Sequence, residues 1–145
     1  MKYQCVVHVY APLEKVSKLF LEYERYKDWQ AHFIGYTLLE GQLKETGAKG
    51  VLRYAAANQL QEMNEYLEEV ALPHRIVNVY SMHGVTNRCE NTFETTEEGV
   101  KWTMDVEFDF DIPPALDIQM FINQTTSTME SFKHFIENVA VDKLN

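Results

Sequence analysis

The chain of 145 residues holds only two cysteines, Cys5 and Cys89, with no CxxC spacing. Neither a disulfide framework nor a zinc ribbon is indicated, and two buried free thiols are the expectation. Basic residues are scarce: 13 Lys and Arg stand against 22 Asp and Glu, for a formal net charge of -9, and the cations are scattered. Without a basic patch the chain is not expected to bind nucleic acid or to dock on anionic membranes by charge. No apolar run approaches the roughly 20 residues that a membrane span requires. The opening residues Met1 to Val9 carry one lysine and a short apolar run broken by His8, unlike the apolar core of a signal peptide. A soluble, cytoplasmic protein with no integral membrane association is therefore expected, and the Asn123-Gln124-Thr125 sequon would matter only after secretion. Gly-rich phosphate loops, a GxSxG elbow and an HExxH motif are all missing. The five histidines, His8, His32, His74, His83 and His134, form no pair at ligand spacing on one element, so neither a metal nor a cofactor is expected.

What is present is a change of period along the chain. Tyr3 to Tyr10 reads as a strand, which Ala11-Pro12 ends while offering proline to the first turn of a short helix. Leu13, Val16, Leu19, Phe20 and Tyr23 mark the buried face of that helix, and a second short helix or turn carries Tyr26 and Trp29. Beyond Phe33 the period falls to two, with strands expected near Ile34 to Glu40, Val51 to Ala57, Glu62 to Val70, Arg75 to Met82, Val85 to Thr95 and Val100 to Phe110. The last alternates most cleanly: Val100, Trp102, Met104, Val106, Phe108 and Phe110 share one face, and Lys101, Thr103, Asp105, Glu107 and Asp109 share the other. After Pro113-Pro114 an amphipathic helix is expected from about Pro114 to Val141, roughly 40 Å long at ~1.5 Å per residue. Its stripe is Ile118, Phe121, Ile122, Met129, Phe132, Ile136 and Val139, with Thr125 in line. Short connections favour an antiparallel meander in one α+β domain spanning residues 1–145, with a curved sheet of about seven strands wrapped on the terminal helix. One long helix laid across a curved sheet leaves space for a ligand cavity.

The order of these elements, with Val7-x-Val9-x-Ala11-Pro12-x-x-x-Val16 and then Tyr26-x-x-Trp29, resembles the START-like superfamily, especially its polyketide cyclase/dehydrase and lipid-transport branch. The likeness continues through Gly41 and the glycines after it, Pro73-His74-Arg75-Ile76, Gly99-Val100-Lys101-Trp102 and the long terminal helix. It implies a helix-grip fold that binds or transports a small hydrophobic molecule of lipid, polyketide or aromatic type, or alternatively catalyses cyclase or dehydratase chemistry. It supplies no catalytic motif to carry over, and leaves partner proteins and oligomeric state open.

Candidate residues follow from strand parity. If Trp102 and Met104 face inward, the same parity brings in Leu52, Tyr54, Met63, Glu65 and Leu67 from the middle strands. Asn78, Tyr80, Met82, Asn87, Cys89, Asn91 and Phe93 follow from the next two. Phe121, Thr125 and Met129 face them from the helix, and Trp29 either packs the short helices onto the sheet or stands at the cavity entrance. Such a set joins aromatic and Met walls to a few polar tips, as a mainly apolar ligand requires. An inward Glu65 would be desolvated and able to act as acid, base or hydrogen-bond anchor, whereas a one-residue bulge would turn it outward and bring Tyr66 in. Tyr54 and Tyr80 are further acid–base candidates, each also readable as an ordinary core tyrosine. His32 falls where a cavity mouth would be, and Phe108 and Phe110 either line its narrow end or support the helix start.

Overall fold

In a computed structural model that describes residues 1–139, seven strands form one antiparallel sheet. They are β1 (Lys2–Val9), β2 (Phe33–Glu40), β3 (Lys49–Ala56), β4 (Gln59–Ala71), β5 (Arg75–Met82), β6 (Val85–Thr95) and β7 (Val100–Phe110). Helix α1 (Leu13–Phe20) and a 3-10 helix (Tyr23–Asp28) join β1 to β2, and the long helix α2 (Ile118–Asn138) follows β7. The spatial order β1-β7-β6-β5-β4-β3-β2 is a meander from β2 to β7, with β1 added beside β7.

Residue alternation decides which face of this sheet is dry. On β1, Cys5, Val7 and Val9 are buried while Gln4, Val6 and His8 are exposed. On β7, Val100, Trp102 and Val106 are buried on the expected parity. A bulge does interrupt β4, but it falls between Leu67 and Glu69. Glu65 and Leu67 therefore keep the inward parity, and Glu68 is the extra residue, turned outward to Arg88. Gly50, the partner of Glu65 on β3, needs its missing side chain: a Cβ there would lie 2.2 Å from the Tyr36 hydroxyl, so the ring of Tyr36 lies over the glycine.

Several expectations about the helices are corrected. The terminal helix starts at Ile118 rather than near Pro114, because Pro113 and Pro114 remain outside it and the Asp117 side chain caps it by accepting from the Gln119 amide at 3.0 Å. At 21 residues it is about 31 Å long, not 40 Å. Its turn at Val139 is extended, and the expected end at Val141 lies outside the described residues. Helix α1 stops at Phe20, so Tyr23 opens the 3-10 helix instead of closing α1. Ile118, assigned to the buried stripe, is 41% exposed, since it occupies the first turn beyond the sheet's cover. Phe135, outside the expected stripe, is buried against Phe132.

The core fills one half of the space between sheet and helix. Phe20 meets Phe93, Trp102 and Phe132 edge-on at centroid distances of 5.4, 5.6 and 5.5 Å. Val16, Leu19, Ile76, Val100, Met129 and Ile136 close around them.

Candidate functional site

The other half is hollow. A cavity of about 580 Å³ lies between the sheet and the first half of α2. Its size suits a small organic molecule. Strand parity supplies Leu52 and Tyr54 from β3, Met63 from β4, Tyr80 from β5, Asn87, Cys89 and Asn91 from β6, and Trp102, Met104 and Phe108 from β7. Helix α2 adds Phe121, Gln124, Thr125 and Thr128. Here its inward stripe changes character: Met129, Phe132 and Ile136 plug the filled half, whereas Thr125 and Thr128 are too short to reach the sheet. The Tyr3 hydroxyl hydrogen-bonds Thr125 Oγ1 at 2.7 Å, tying α2 to β1 across the hollow. Phe108 stacks on Phe110 and both meet Phe121 edge-on, so this pair supports the start of α2 while Phe108 also faces the cavity.

The mouth lies between α2 and the segment that enters β2. Trp29, Gln30, Ala31, Ser127 and Ser131 belong both to the cavity wall and to an outer groove that continues to Lys27, Glu130 and His134. His32 stands in the same wall, its backbone at φ 67° where the chain turns into β2. Trp29 serves in both of the roles weighed for it. Its ring packs edge-on against Tyr26 and Phe132 at 5.2 and 5.0 Å, and it forms part of the wall. Its buried Nε1 has no acceptor among the described residues.

Six predicted residues stand outside the wall. Leu67, Phe93 and Met129 are packed into the filled half and are at most 1% exposed. Met82, on the same parity, is 47% exposed because β5 ends there. The other two, Glu65 and Asn78, belong to a buried chain of polar side chains. Trp102 Nε1 donates to Asn91 Oδ1 at 2.9 Å, Asn91 Nδ2 donates to Asn78 Oδ1 at 3.1 Å, and Asn78 Nδ2 donates to Glu65 Oε2 at 3.1 Å. The Tyr23 hydroxyl donates to Glu65 Oε1 at 2.6 Å. Every donor in this chain points toward Glu65, which is 2% exposed. Burial pushes the Glu65 carboxyl above its ordinary value, and the bonds from Tyr23, Asn78 and Tyr80 only partly oppose this.

Tyrosines surround the carboxylate. Tyr80 is its cross-strand neighbour, and Tyr23 stacks on Tyr36 at 3.8 Å with rings 2° from parallel. Burial, reinforced by the nearby Glu65, raises the hydroxyls of Tyr23, Tyr26 and Tyr80, and pushes that of Tyr54 up to about 12. Tyr54 donates to Gln30 Oε1 at 2.5 Å and Tyr26 to the Phe20 carbonyl at 3.1 Å. These groups are neutral hydrogen-bonding surfaces at ordinary pH, poor as bases. Burial likewise raises the Cys89 thiol to about 12, leaving it inert as a nucleophile.

Parity reasoning passed over several wall residues. Tyr3 was accessible to it, because Cys5, Val7 and Val9 already define the inward face of β1. Gln30 and Ala31 carried no signal, since their place depends on how the chain turns between the 3-10 helix and β2.

A curved antiparallel sheet gripping one long helix over an internal cavity is the helix-grip arrangement, as the resemblance to the START-like superfamily implies. Solved structures share it over nearly their whole length. Ara h 8.0201 superposes with a TM-score of 0.80 at 10% identity, covering 94% of this chain and 97% of its own. A protein from Chromobacterium violaceum gives 0.77 at 17% identity, covering 96% and 99%. The major latex-like protein 151 of Panax ginseng gives 0.74 at 12% identity, covering 93% and 96%. At such identities the likeness is one of fold. No protein-family profile and no curated protein matches the sequence.

Proposed function

We propose that this protein binds or carries a small, mainly hydrophobic molecule in the cavity between the sheet and α2. One observation carries the reading: a hollow of about 580 Å³ persists where the same sheet and helix are elsewhere closely packed. Its wall joins the apolar surfaces of Leu52, Met63, Met104, Phe108 and Phe121 to amides and hydroxyls from Asn87, Asn91, Gln124 and Thr125. Apolar contact at ~25 cal/mol per Å² supplies affinity, and the polar tips select orientation. Acid–base chemistry of the cyclase or dehydratase kind has less support, because Glu65 is buried outside the wall and the wall tyrosines hold their protons tightly. Native mass spectrometry of the protein as purified from cells, followed by denaturing extraction, tests the proposal. A stoichiometric hydrophobic compound is expected. An empty protein that also leaves a panel of apolar fluorescent probes unchanged would overturn it.

A further inference from the structure

Glu65 is a buried carboxyl whose chemistry the carrier reading leaves unused. Its two oxygens accept hydrogen bonds from Tyr23 and Asn78, a pattern suited to an ionised carboxylate. Yet none of the ion pairs among the described residues includes it; they lie on the convex face and at the periphery. The ionisable groups that face it are Tyr23 and Tyr26 from the 3-10 helix, Tyr36 from β2, Tyr54 from β3, Tyr80 from β5 and Cys89 from β6. None of these brings a positive charge. A buried carboxylate without a cation is costly, and it either keeps its proton or acquires a partner.

The cavity offers that partner a place. Tyr26, Tyr54 and Tyr80 line it, and Tyr80 is paired directly across the strands with Glu65, so the carboxylate lies beside the aromatic wall. Aromatic faces backed by a negative charge attract organic cations, through the ring quadrupole and through a field little screened by water. We infer that the ligand is a hydrophobic molecule bearing a single ammonium or quaternary ammonium group, held against Tyr80, Tyr54 and Tyr26 with Glu65 as its counter-charge. This rests on the carrier reading and narrows its ligand class. Burial favours the protonated carboxyl and a bound cation favours the ionised one, so at any pH where Glu65 still holds its proton the cation displaces that proton to the buffer.

The test uses two probes matched in shape, naphthylmethylamine, which is cationic near neutral pH, and naphthylmethanol, which is neutral. Calorimetric titration should show the amine binding roughly tenfold more tightly, with net proton release appearing as the pH is lowered through the Glu65 titration and revealed by buffers of different ionisation enthalpy. In Glu65→Gln the alcohol should bind as before and the amine should lose its advantage and its proton release. Equal affinities in the unaltered protein, or an amine preference that survives Glu65→Gln, would overturn the inference while leaving the carrier reading intact. Binding of neither probe would overturn both. If Glu65→Gln does not fold, amine binding to the unaltered protein without proton release at any pH at which it is folded is sufficient to reject the inference.

Discussion

The two halves of the interior share one sheet and one helix, yet one is packed solid and the other is hollow. In the filled half α1 lays Leu19 and Phe20 onto β6 and β7, and α2 answers with Met129, Phe132 and Ile136. In the hollow half the 3-10 helix contributes Tyr26, and α2 turns Phe121, Thr125 and Thr128 inward. The difference therefore comes from side-chain length along one helix stripe and from the reach of one short helix. Packing in the first half sustains the fold, and its lack in the second leaves room for a ligand.

Substitutions of the same kind should separate the halves. Phe132→Ala removes a side chain with no exposure, and is expected to lower unfolding free energy by ~3–5 kcal/mol in urea titrations. Phe121→Ala, at a wall that already faces empty space, should lose only about 1–2 kcal/mol while weakening apolar probes several-fold. Comparable losses at both positions would break the contrast.

Filling the hollow should sharpen it. Thr125→Phe gives up the hydrogen bond to Tyr3 but adds buried apolar surface, so stability should stay within about 1 kcal/mol of the unaltered protein. Thermal melts check that figure.

The polar chain runs between the halves and predicts a smaller, pH-dependent effect. The folded state raises the Glu65 carboxyl above its ordinary 4.5, so above that pH the unfolded chain gives up a proton that the folded protein retains. Stability should therefore fall as pH rises from about the unfolded value to the raised one. Glu65→Gln should flatten that part of the stability curve, and urea midpoints measured across it would show whether it does.

The least effect belongs outside both halves. On the convex face Arg88 pairs with Glu68 at 2.6 Å and with Glu90 at 2.7 Å, which holds both carboxyls below their usual range. Because these groups are open to water, Arg88→Ala should cost about 0.5–1 kcal/mol at low salt and less at high salt.

How far the sequence foretold this molecule depends on which contacts set each feature. The strands of the meander were legible because a half-buried strand writes its two faces alternately, as in Trp102 and Met104 against Thr103 and Asp105. Thr125 already stood out as a break in an apolar stripe. The role of Glu65 was only half legible. Its parity pointed inward, but the position of the bulge that preserves that parity depends on pairing with β5. Its partners Tyr23 and Asn78 come from elements distant in sequence, and nothing local marks them as meeting. The start of α2 was misplaced because Pro113-Pro114 is an equally good helix approach, and Asp117, an ordinary cap residue, decides the matter.

The central claim is that the hollow half is a ligand site, and the most direct measurement is a naphthylmethanol titration of the unaltered protein beside Thr125→Phe. One saturable site in the first, lost in a second that melts at nearly the same temperature, is the predicted result. Equal binding by both, or by neither, would contradict the claim.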